Sequence, residues 1–274
     1  MIKELAAQLP GETSWLDAQV LLAQVTGHNR AWLLSHPEAS LTTGQQESLA
    51  LSIRKLQSGM PLPYVLGHWE FFGLDFLVTP DVLIPRPETE LLIETALAHI
   101  RFHPQFTFRI LDIGTGSGII PISLATHAPH ASFVATDISP AALNLARANA
   151  DHQGVAQRIE FEEADLLPDD FSSAPFDIIT ANLPYIPTET LHNLEVFGRE
   201  PTLALDGGLD GLDLIRRLLK KLEEAEVSDC LILLEIEERQ RLAVQSLARE
   251  AFPSAGIELK KDLAGLDRLM MIHS

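Results

Sequence analysis

A glycine-rich loop between a short apolar strand and an apolar helix constrains the fold of this chain more than any other feature. Residues 106–113 carry the side chains of a buried strand, and residues 119–125 those of a helix. Between them lie Gly114, Thr115, Gly116, Ser117 and Gly118. A strand, a glycine turn and a helix in this order are typical of an α/β unit that cradles a nucleotide.

The spacing of the glycines predicts which kind of cofactor the loop accepts. A dinucleotide fingerprint requires glycine at position 119, where this chain has Ile119, so a nicotinamide dehydrogenase is disfavoured. Glycines at alternate positions behind Asp112 suit a cofactor with an amino-acid tail and no phosphates. The backbone then approaches the cofactor closely, and we expect Asp112 to lie near a positive charge of that cofactor.

A second acid follows where a ribose-binding side chain is expected. Residues 131–136 predict a strand that ends in Asp137, about twenty residues past the loop, where a carboxylate accepts hydrogen bonds from both ribose hydroxyls. The alternative role for Asp137 is to cap the helix predicted at 140–150. Ser139 also suits that capping position, so both interpretations stay open.

Two more strands bring residues to the same edge of the predicted sheet. A strand at 159–162 leads to Asp165 and Leu166, where we place the edge of an adenine ring. An apolar run at 176–181 predicts another buried strand. Helices and strands alternate from Pro85 onward, which is typical of an α/β fold with a doubly wound sheet.

The run at 176–181 is followed by a motif with a chemical rationale, formed by Asn182, Leu183, Pro184 and Tyr185. An amide or aniline-like NH2 group is a poor nucleophile because its lone pair is delocalised. The Asn182 side-chain oxygen and the Leu183 carbonyl can each accept one N–H of such a group, which orients the lone pair and favours the developing cation. Pro184 keeps Leu183 extended, and Tyr185 offers a flat wall to a planar group.

This motif on its own is also an ordinary turn after a strand, because Asn and Pro are turn residues. Its place behind the glycine loop and the ribose acid changes the interpretation. The three features follow the first, second and fourth strands of one sheet. Together they predict an S-adenosylmethionine-dependent N-methyltransferase, with Asn182 between cofactor and substrate.

Further segments complete a family pattern. The most diagnostic is Pro-Arg-Pro-Glu-Thr-Glu at 85–90, accompanied by Trp-Glu-Phe-Phe-Gly-Leu at 69–74, Glu-Pro at 200–201 and Ala-Leu-Asp-Gly-Gly at 204–208. With these segments the chain resembles the HemK-type (PrmC) methyltransferases, which modify a glutamine side chain of peptide chain release factors. The family usually has proline at the position of Leu183, but the contact implied there is a backbone carbonyl, which leucine also supplies.

The resemblance implies a two-domain enzyme. Residues 1–75 are then a small helical domain, with the start of a linking hairpin, that recognises the release factor. Residues 76–274 are a Rossmann-like, seven-stranded domain that binds S-adenosyl-L-methionine and releases S-adenosyl-L-homocysteine. The implied acceptor is the side-chain nitrogen (N5) of the glutamine in a Gly-Gly-Gln tripeptide. The resemblance also places Arg86 and Glu90 at the substrate, although Pro87 and the nearby acids equally suit a helix N-terminus.

Charge disfavours one class of substrate. A formal net charge of −18 counts against a grip on the nucleic-acid backbone, which generally needs a basic patch. The densest basic cluster lies on a predicted amphipathic helix and is typical of a solvated face. It consists of Arg216, Arg217, Lys220 and Lys221. We therefore expect a basic protein partner and no nucleic acid. Separately, we expect the enzyme to be a monomer.

The chain carries no sign of export, of a membrane partner or of a metal. Its first residues lack the apolar stretch of a signal peptide, and no apolar run approaches the length of a membrane span. The single Cys230 cannot form an internal disulfide, so a cytoplasmic protein with this thiol in its core is the simplest interpretation. His99 and His103 have no evident third ligand, so we predict no metal site.

Two other functions stay open, one of the same class and one of another. An adenine-N6 methyltransferase acting on DNA or RNA would use the same Asn-x-Pro-Tyr chemistry, but the negative charge and the segment around Arg86 disfavour it. A non-catalytic binding module that keeps the fold is disfavoured by an intact Asn182 beside an intact glycine loop.

Glu235, near the end of an apolar strand predicted at 231–236, is either a functional acid or a solvent-exposed strand end.

Overall fold

A computed structural model of the protein describes residues 1–171 and 175–274, and the chain divides into two units, Met1–Trp69 and Glu70–Ser274. The first unit is helical, as its sequence predicts. Its helices are α1 Ile2–Ala6, α2 Ser14–Thr26, α3 Arg30–Ser35, α4 Thr43–Gln57 and α5 Leu62–Leu66.

Local sequence signals set the limits of these helices. Thr42 begins α4 with a reciprocal capping box: its hydroxyl accepts from the Gln45 N–H, and the Gln45 side chain accepts from the Thr42 N–H. Gly27 ends α2 in the left-handed conformation, at a φ of 72°. Leucines of all five helices, among them Leu21 and Leu33, form the buried core of this unit.

A hairpin follows, formed by β1 His68–Phe71 and β2 Leu74–Leu77. The remaining strands are β3 Arg109–Ile113, β4 Ser132–Asp137, β5 Ile159–Glu163, β6 Ile178–Ala181, β7 Leu231–Glu235, β8 Gly256–Lys261 and β9 Asp267–His273. The helices of the second unit, Glu70–Ser274, are α6 Glu90–Phe102, α7 Ile119–His127, α8 Pro140–His152, α9 Thr188–Leu191, α10 Asp213–Glu224 and α11 Arg241–Ala251.

Within residues 70–171 and 175–274, seven strands form one sheet in the order β5-β4-β3-β6-β7-β9-β8. Strands β3 to β7 run parallel, and β9 lies antiparallel to both β7 and β8. From β3 the chain winds outward through β4 and β5, then returns to β6 on the other side of β3. The strand order therefore reverses between β3 and β6, which is where ligands bind in open α/β sheets.

Successive residues of the central strands face opposite sides of this sheet. On β3, Ile110 belongs to one apolar core and Leu111 to the other, and Ile178 and Ile179 alternate in the same way on β6. Every residue of β6 is buried, as expected for a parallel strand covered by helices on both faces.

The strand predicted at 106–113 starts later than its composition indicates. Phe106 is 60% exposed, and its N–H donates to the His103 carbonyl in a turn. The strand begins at Arg109, whose N–H donates to the Asp177 carboxylate at 2.6 Å. Phe106 has the apolar side chain of a strand residue, but its backbone closes a turn and does not extend the strand.

Candidate active site

A cavity of about 440 Å³ lies at the carboxyl ends of β3, β4, β5 and β6. This size and this place are those of a small-molecule site in an α/β protein. Most of the predicted site residues border it: Arg86, Gly114, Thr115, Gly116, Ser117, Asp137, Asp165, Leu166, Asn182, Leu183 and Pro184. The others lie off the cavity wall, namely Glu90, Asp112, Gly118 and Tyr185.

The glycine loop forms one wall, and its glycines serve different purposes. Gly114, Gly116 and Gly118 all have a positive φ, between 55° and 82°. A Cβ added at Gly116 would meet no atom within 4 Å, so this backbone borders open space. A Cβ at Gly118 would lie 2.8 Å from Ile122 Cδ1 and 3.1 Å from Ala146 Cβ, so this glycine lets α7 pack against α8.

Asp137, at the end of β4, holds the glycine loop. Its Oδ2 accepts from the Gly116 N–H at 2.8 Å, and its Oδ1 accepts from the Ser139 N–H at 2.9 Å. Burial raises the pKa of this carboxyl, and the backbone donors oppose that shift. Ser139 rather than Asp137 caps α8, because its hydroxyl accepts from the Ala142 N–H. Each Asp137 oxygen keeps a second lone pair for a ligand hydroxyl.

Asp112 lies beneath the loop rather than in the cavity, and it is only 1% exposed. Its Oδ1 accepts from the Thr180 hydroxyl at 2.7 Å. Burial raises the pKa of Asp112 to about 6, while Thr180 and Thr115 lower it. Its Oδ2 has no hydrogen-bond partner among the residues that the structure describes. A cofactor charge close to this acid stays a prediction.

The two residues placed at the adenine edge have partners of their own. Asp165 forms an ion pair with Arg217 of α10, and both side chains are about half exposed at the rim of the cavity. Leu166 is buried, with a φ of 76°, and its carbonyl accepts from the Thr136 hydroxyl at 2.7 Å. The cavity therefore has an apolar wall and a charged rim at this place.

The carboxamide of Asn182 is held by side chains that the sequence analysis did not connect with it. Its Nδ2 donates to Thr89 Oγ1 at 3.0 Å, and the Thr89 hydroxyl donates to Glu235 Oε2 at 2.7 Å. The Tyr185 hydroxyl lies 3.5 Å from Glu235 Oε1. Glu235 is 3% exposed, so the interpretation of a solvent-exposed strand end is wrong. Burial raises its pKa to about 7.

The backbone of the Asn-Leu-Pro-Tyr motif is braced from behind. The Tyr185 carbonyl accepts from Gln240 Nε2 at 2.9 Å. Gly211, at a φ of 78°, packs so closely that an added Cβ would overlap the Tyr185 carbonyl and the Gln240 side chain. On the cavity side, Leu183 Cδ2 faces Gly114, where an added Cβ would lie 3.0 Å away.

A buried acid also anchors the segment around Arg86. Glu200 accepts from the Arg86 guanidinium at 2.5 Å through Oε1 and from the Ile84 N–H at 3.1 Å through Oε2. The Glu200 side chain is only 4% exposed, and a charge buried in this way requires a partner. Arg86, at the cavity wall, is that partner and neutralises the charge. Glu90 begins α6 away from the cavity, and its contact with substrate stays a prediction.

Comparisons with known proteins match both units of the chain. The family described as "PrmC N-terminal domain" matches residues 2–67, and the one described as "Methyltransferase domain" matches residues 110–195. A release factor glutamine methyltransferase of Moorella thermoacetica is 41% identical over 259 residues, which cover 94% of this chain and 90% of that protein. The chain belongs to the release factor glutamine methyltransferase family. A protein of the same name from Coxiella burnetii is 36% identical, over 98% of this chain and 96% of its own.

Solved structures share the fold of this family member at low identity. The ribosomal protein L11 methylase of Lactobacillus delbrueckii subsp. bulgaricus has a TM-score of 0.50 and 22% identity, covering 71% of this chain and 82% of that chain. The N-terminal domain of human METTL16, solved in complex with SAH, has a TM-score of 0.52 and 17% identity, and the match covers 74% of this chain and 76% of that chain. The predicted doubly wound, Rossmann-like methyltransferase fold with seven strands is confirmed.

The residues around the cavity fit S-adenosyl-L-methionine. The loop backbone is open at Gly116 for an amino-acid tail, and Asp137 has lone pairs for two hydroxyls. The apolar wall at Leu166 suits a planar ring. Among the described residues, no group of three His, Cys, Asp or Glu side chains is arranged to hold a metal ion. In the same part of the chain, every helix is too short or too polar to cross a membrane.

Proposed function

We infer that this protein transfers a methyl group from S-adenosyl-L-methionine to the side-chain amide nitrogen (N5) of a glutamine in a peptide chain release factor. The observation that carries this conclusion is that Asn182, Leu183 and Pro184 of the motif border the same cavity as residues 114–117 of the glycine loop. Relatives that are 41% and 36% identical over nearly the whole chain bear the name of this activity. When bound, the cofactor supplies the sulfonium methyl group, and it leaves as S-adenosyl-L-homocysteine.

The residues of the motif orient the acceptor amide. Because Asn182 Nδ2 donates to Thr89, Asn182 Oδ1 is the side-chain atom left to accept an N–H of the substrate. The Leu183 carbonyl accepts the second N–H. Two acceptors aim the nitrogen lone pair and favour the positive charge that grows on it during transfer. No strong base has to act before attack, because the methylated amide cation loses its proton readily afterwards.

We propose the following cofactor contacts for the residues around the cavity. Asp137 accepts from the ribose hydroxyls, and Asp165 and Leu166 border the adenine ring. The loop at 114–118 approaches the amino-acid tail, and Asp112 adds a negative charge beneath it. Support comes from the position of the loop, of Asp137 and of the adenine-edge residues on the cavity wall.

We also propose how the protein substrate is chosen. The target is the glutamine of a Gly-Gly-Gln tripeptide, and residues 1–75 recognise the rest of the release factor. Supporting this, the helical unit Met1–Trp69 forms its own core and is matched by the PrmC N-terminal domain. The net charge of −18 suits a basic protein surface. We propose a monomeric enzyme that works in the cytoplasm, where release factors meet ribosomes.

Replacing Asn182 tests the proposed chemistry. We expect Asn182→Ala to lower the single-turnover rate of methyl transfer by on the order of a hundredfold or more, because one preorganised acceptor is lost where charge develops. The rate is measured as tritiated methyl transferred to purified release factor, with DNA and RNA offered in parallel. Cofactor affinity, measured by calorimetric titration, should change far less.

The matched control is Asn144→Ala, which removes the same carboxamide from an exposed position on α8. We expect this variant to keep the wild-type rate. An Asn182→Ala enzyme that methylates glutamine as fast as the wild type would refute the mechanism. Transfer to adenine as fast as to the release factor would instead refute the substrate class.

A further inference from the structure

The hydrogen-bond chain behind Asn182 joins residues that lie far apart in the sequence. Thr89 precedes Asn182 by 93 positions and Glu235 by 146 positions. Thr89 is 0% exposed and Glu235 is 3% exposed, so water does not compete for their hydrogen bonds. When Glu235 is ionised, its carboxylate can only accept, and this fixes the direction of both hydrogen bonds between Glu235 and Asn182.

The direction of each hydrogen bond follows from the chemistry of the partners. A carboxylate only accepts, so the single hydroxyl proton of Thr89 points to Glu235 Oε2. The Thr89 oxygen is then left as an acceptor, and it takes a proton from Asn182 Nδ2 at 3.0 Å. A flipped Asn182 carboxamide would set its Oδ1 against the Thr89 oxygen, with acceptor facing acceptor in a buried place.

We propose that Thr89 and Glu235 are positioning residues that lock the Asn182 carboxamide with Oδ1 toward the substrate. This inference rests on the proposed function, in which Asn182 Oδ1 accepts an N–H of the glutamine amide. A flipped Asn182 would present its own N–H groups to the substrate NH2 group, so donor would face donor. Glu235 thus sets the direction of the Thr89 hydroxyl, and Thr89, which borders the cavity beside Asn182, sets the orientation of the Asn182 carboxamide.

The test compares two substitutions of Thr89 under single-turnover conditions, at about pH 8.5 so that the Glu235 carboxylate is ionised. Thr89→Val keeps the shape of the side chain and removes the hydroxyl, so we expect the rate of methyl transfer to fall on the order of tenfold. Thr89→Ser keeps the hydroxyl and should restore most of the rate. Cofactor affinity and the KM for the release factor should stay close to wild type.

A matched control separates this effect from a loss of packing. Thr95 of α6 is also buried, at 4% exposure, and its hydroxyl donates to the Leu91 carbonyl away from the cavity. Thr95→Val should therefore leave the rate unchanged. If Thr95→Val slows transfer as much as Thr89→Val does, the loss is structural and the positioning role is overturned.

A double-mutant cycle shows whether Thr89 acts through Asn182. In an Asn182→Ala enzyme, Thr89→Val should cause no further loss, because the group it positions is gone. An equal loss in both backgrounds overturns the relay, meaning the pair of hydrogen bonds from Asn182 to Thr89 and from Thr89 to Glu235.

Glu235→Gln is a further test of this relay. The NH2 group of the new side chain can donate to the Thr89 oxygen, and the Thr89 hydroxyl can then donate to a flipped Asn182 carboxamide, so we expect a severalfold slower rate. An unchanged rate removes Glu235 from the relay.

The outcomes distinguish this inference from the proposed function beneath it. If Asn182→Ala is slow and Thr89→Val is as fast as wild type, the relay is wrong and the proposed function stands. If Asn182→Ala is itself as fast as wild type, the proposed mechanism fails whatever the Thr89 variants show. Circular dichroism and thermal melting of each variant confirm that the compared enzymes are folded.

Discussion

Asp137 has a structural role and a place on the cavity wall that suits the proposed binding of ribose. Its two carboxylate oxygens each accept one backbone N–H, from Gly116 and from Ser139. These bonds fix the loop and the start of α8, and they leave a lone pair on each oxygen for a ligand. The two interpretations that the sequence left open were capping and ribose binding. Ser139 takes the cap, and Asp137 borders the cavity.

Replacing this acid should weaken cofactor binding. For Asp137→Ala we expect a ten- to hundredfold loss of affinity for S-adenosyl-L-methionine, because hydrogen bonds to a charged group contribute roughly 1.5–3 kcal/mol. Calorimetric titration measures the loss, with Asp151→Ala on the exposed end of α8 as the control. An Asp137→Ala enzyme that is folded by circular dichroism and binds the cofactor normally would exclude the ribose contact.

At the scale of elements, the motif after β6 depends on a loop that follows it in the sequence. The Ile186 N–H donates to the Leu205 carbonyl, and the Gly207 N–H donates back to the Ile186 carbonyl. This short parallel bridge runs beside the motif and holds its outgoing backbone. Gly211 then lets the same loop pass directly over the Tyr185 carbonyl. The position of Leu183 and Asn182 is therefore set by two elements rather than by the strand end alone.

An added methyl group at Gly211 tests this brace. Gly211→Ala should lower the free energy of unfolding by about 1–3 kcal/mol and slow methyl transfer by about tenfold or more, because the Cβ displaces the Tyr185 carbonyl. Denaturant unfolding and single-turnover rates measure the two effects. Gly265→Ala is the control: that glycine also has a positive φ, of 81°, but an added Cβ meets nothing within 4 Å. Equal losses in both variants would mean that backbone strain alone is responsible.

At the scale of the whole molecule, the chain separates cofactor binding from the proposed recognition of the partner. Among the residues that the structure describes, those bordering the cavity belong to the unit Glu70–Ser274. The unit Met1–Trp69 has a leucine core of its own. A division of this kind predicts that the two functions can be lost independently.

Removing residues 1–66 tests this division. We expect the shortened enzyme to bind S-adenosyl-L-methionine with nearly unchanged affinity and to methylate the whole release factor about a hundredfold more slowly, because a second binding site is lost. Methylation of a short Gly-Gly-Gln peptide should change much less, and serves as the internal control. Full-rate methylation of the intact factor by the shortened enzyme would remove the recognition role from this unit.

Local patterns in the sequence are enough to predict the fold and most of the residues on the cavity wall. The glycine loop, Asp137 and the Asn-Leu-Pro-Tyr motif each lie within a few residues of a strand end. Their positions follow from local rules, because apolar periodicity locates the strands and parallel strands end at one edge of the sheet. Strand ends were the weakest part of this prediction, since an apolar side chain such as Phe106 also occurs in a turn.

Which polar groups are buried, and which partners they contact, depends on long-range packing that local patterns do not predict. Glu200 reaches Arg86 across 114 positions, and Glu235 reaches Thr89 across 146. These contacts depend on which strand lies beside β6 and on where the segment before α6 crosses the strand ends, and neither is encoded by local periodicity. A glutamate at the end of a strand is exposed or buried according to what covers that end. In this protein the cover is Thr89 and Tyr185, which turns a strand terminus into part of the candidate site.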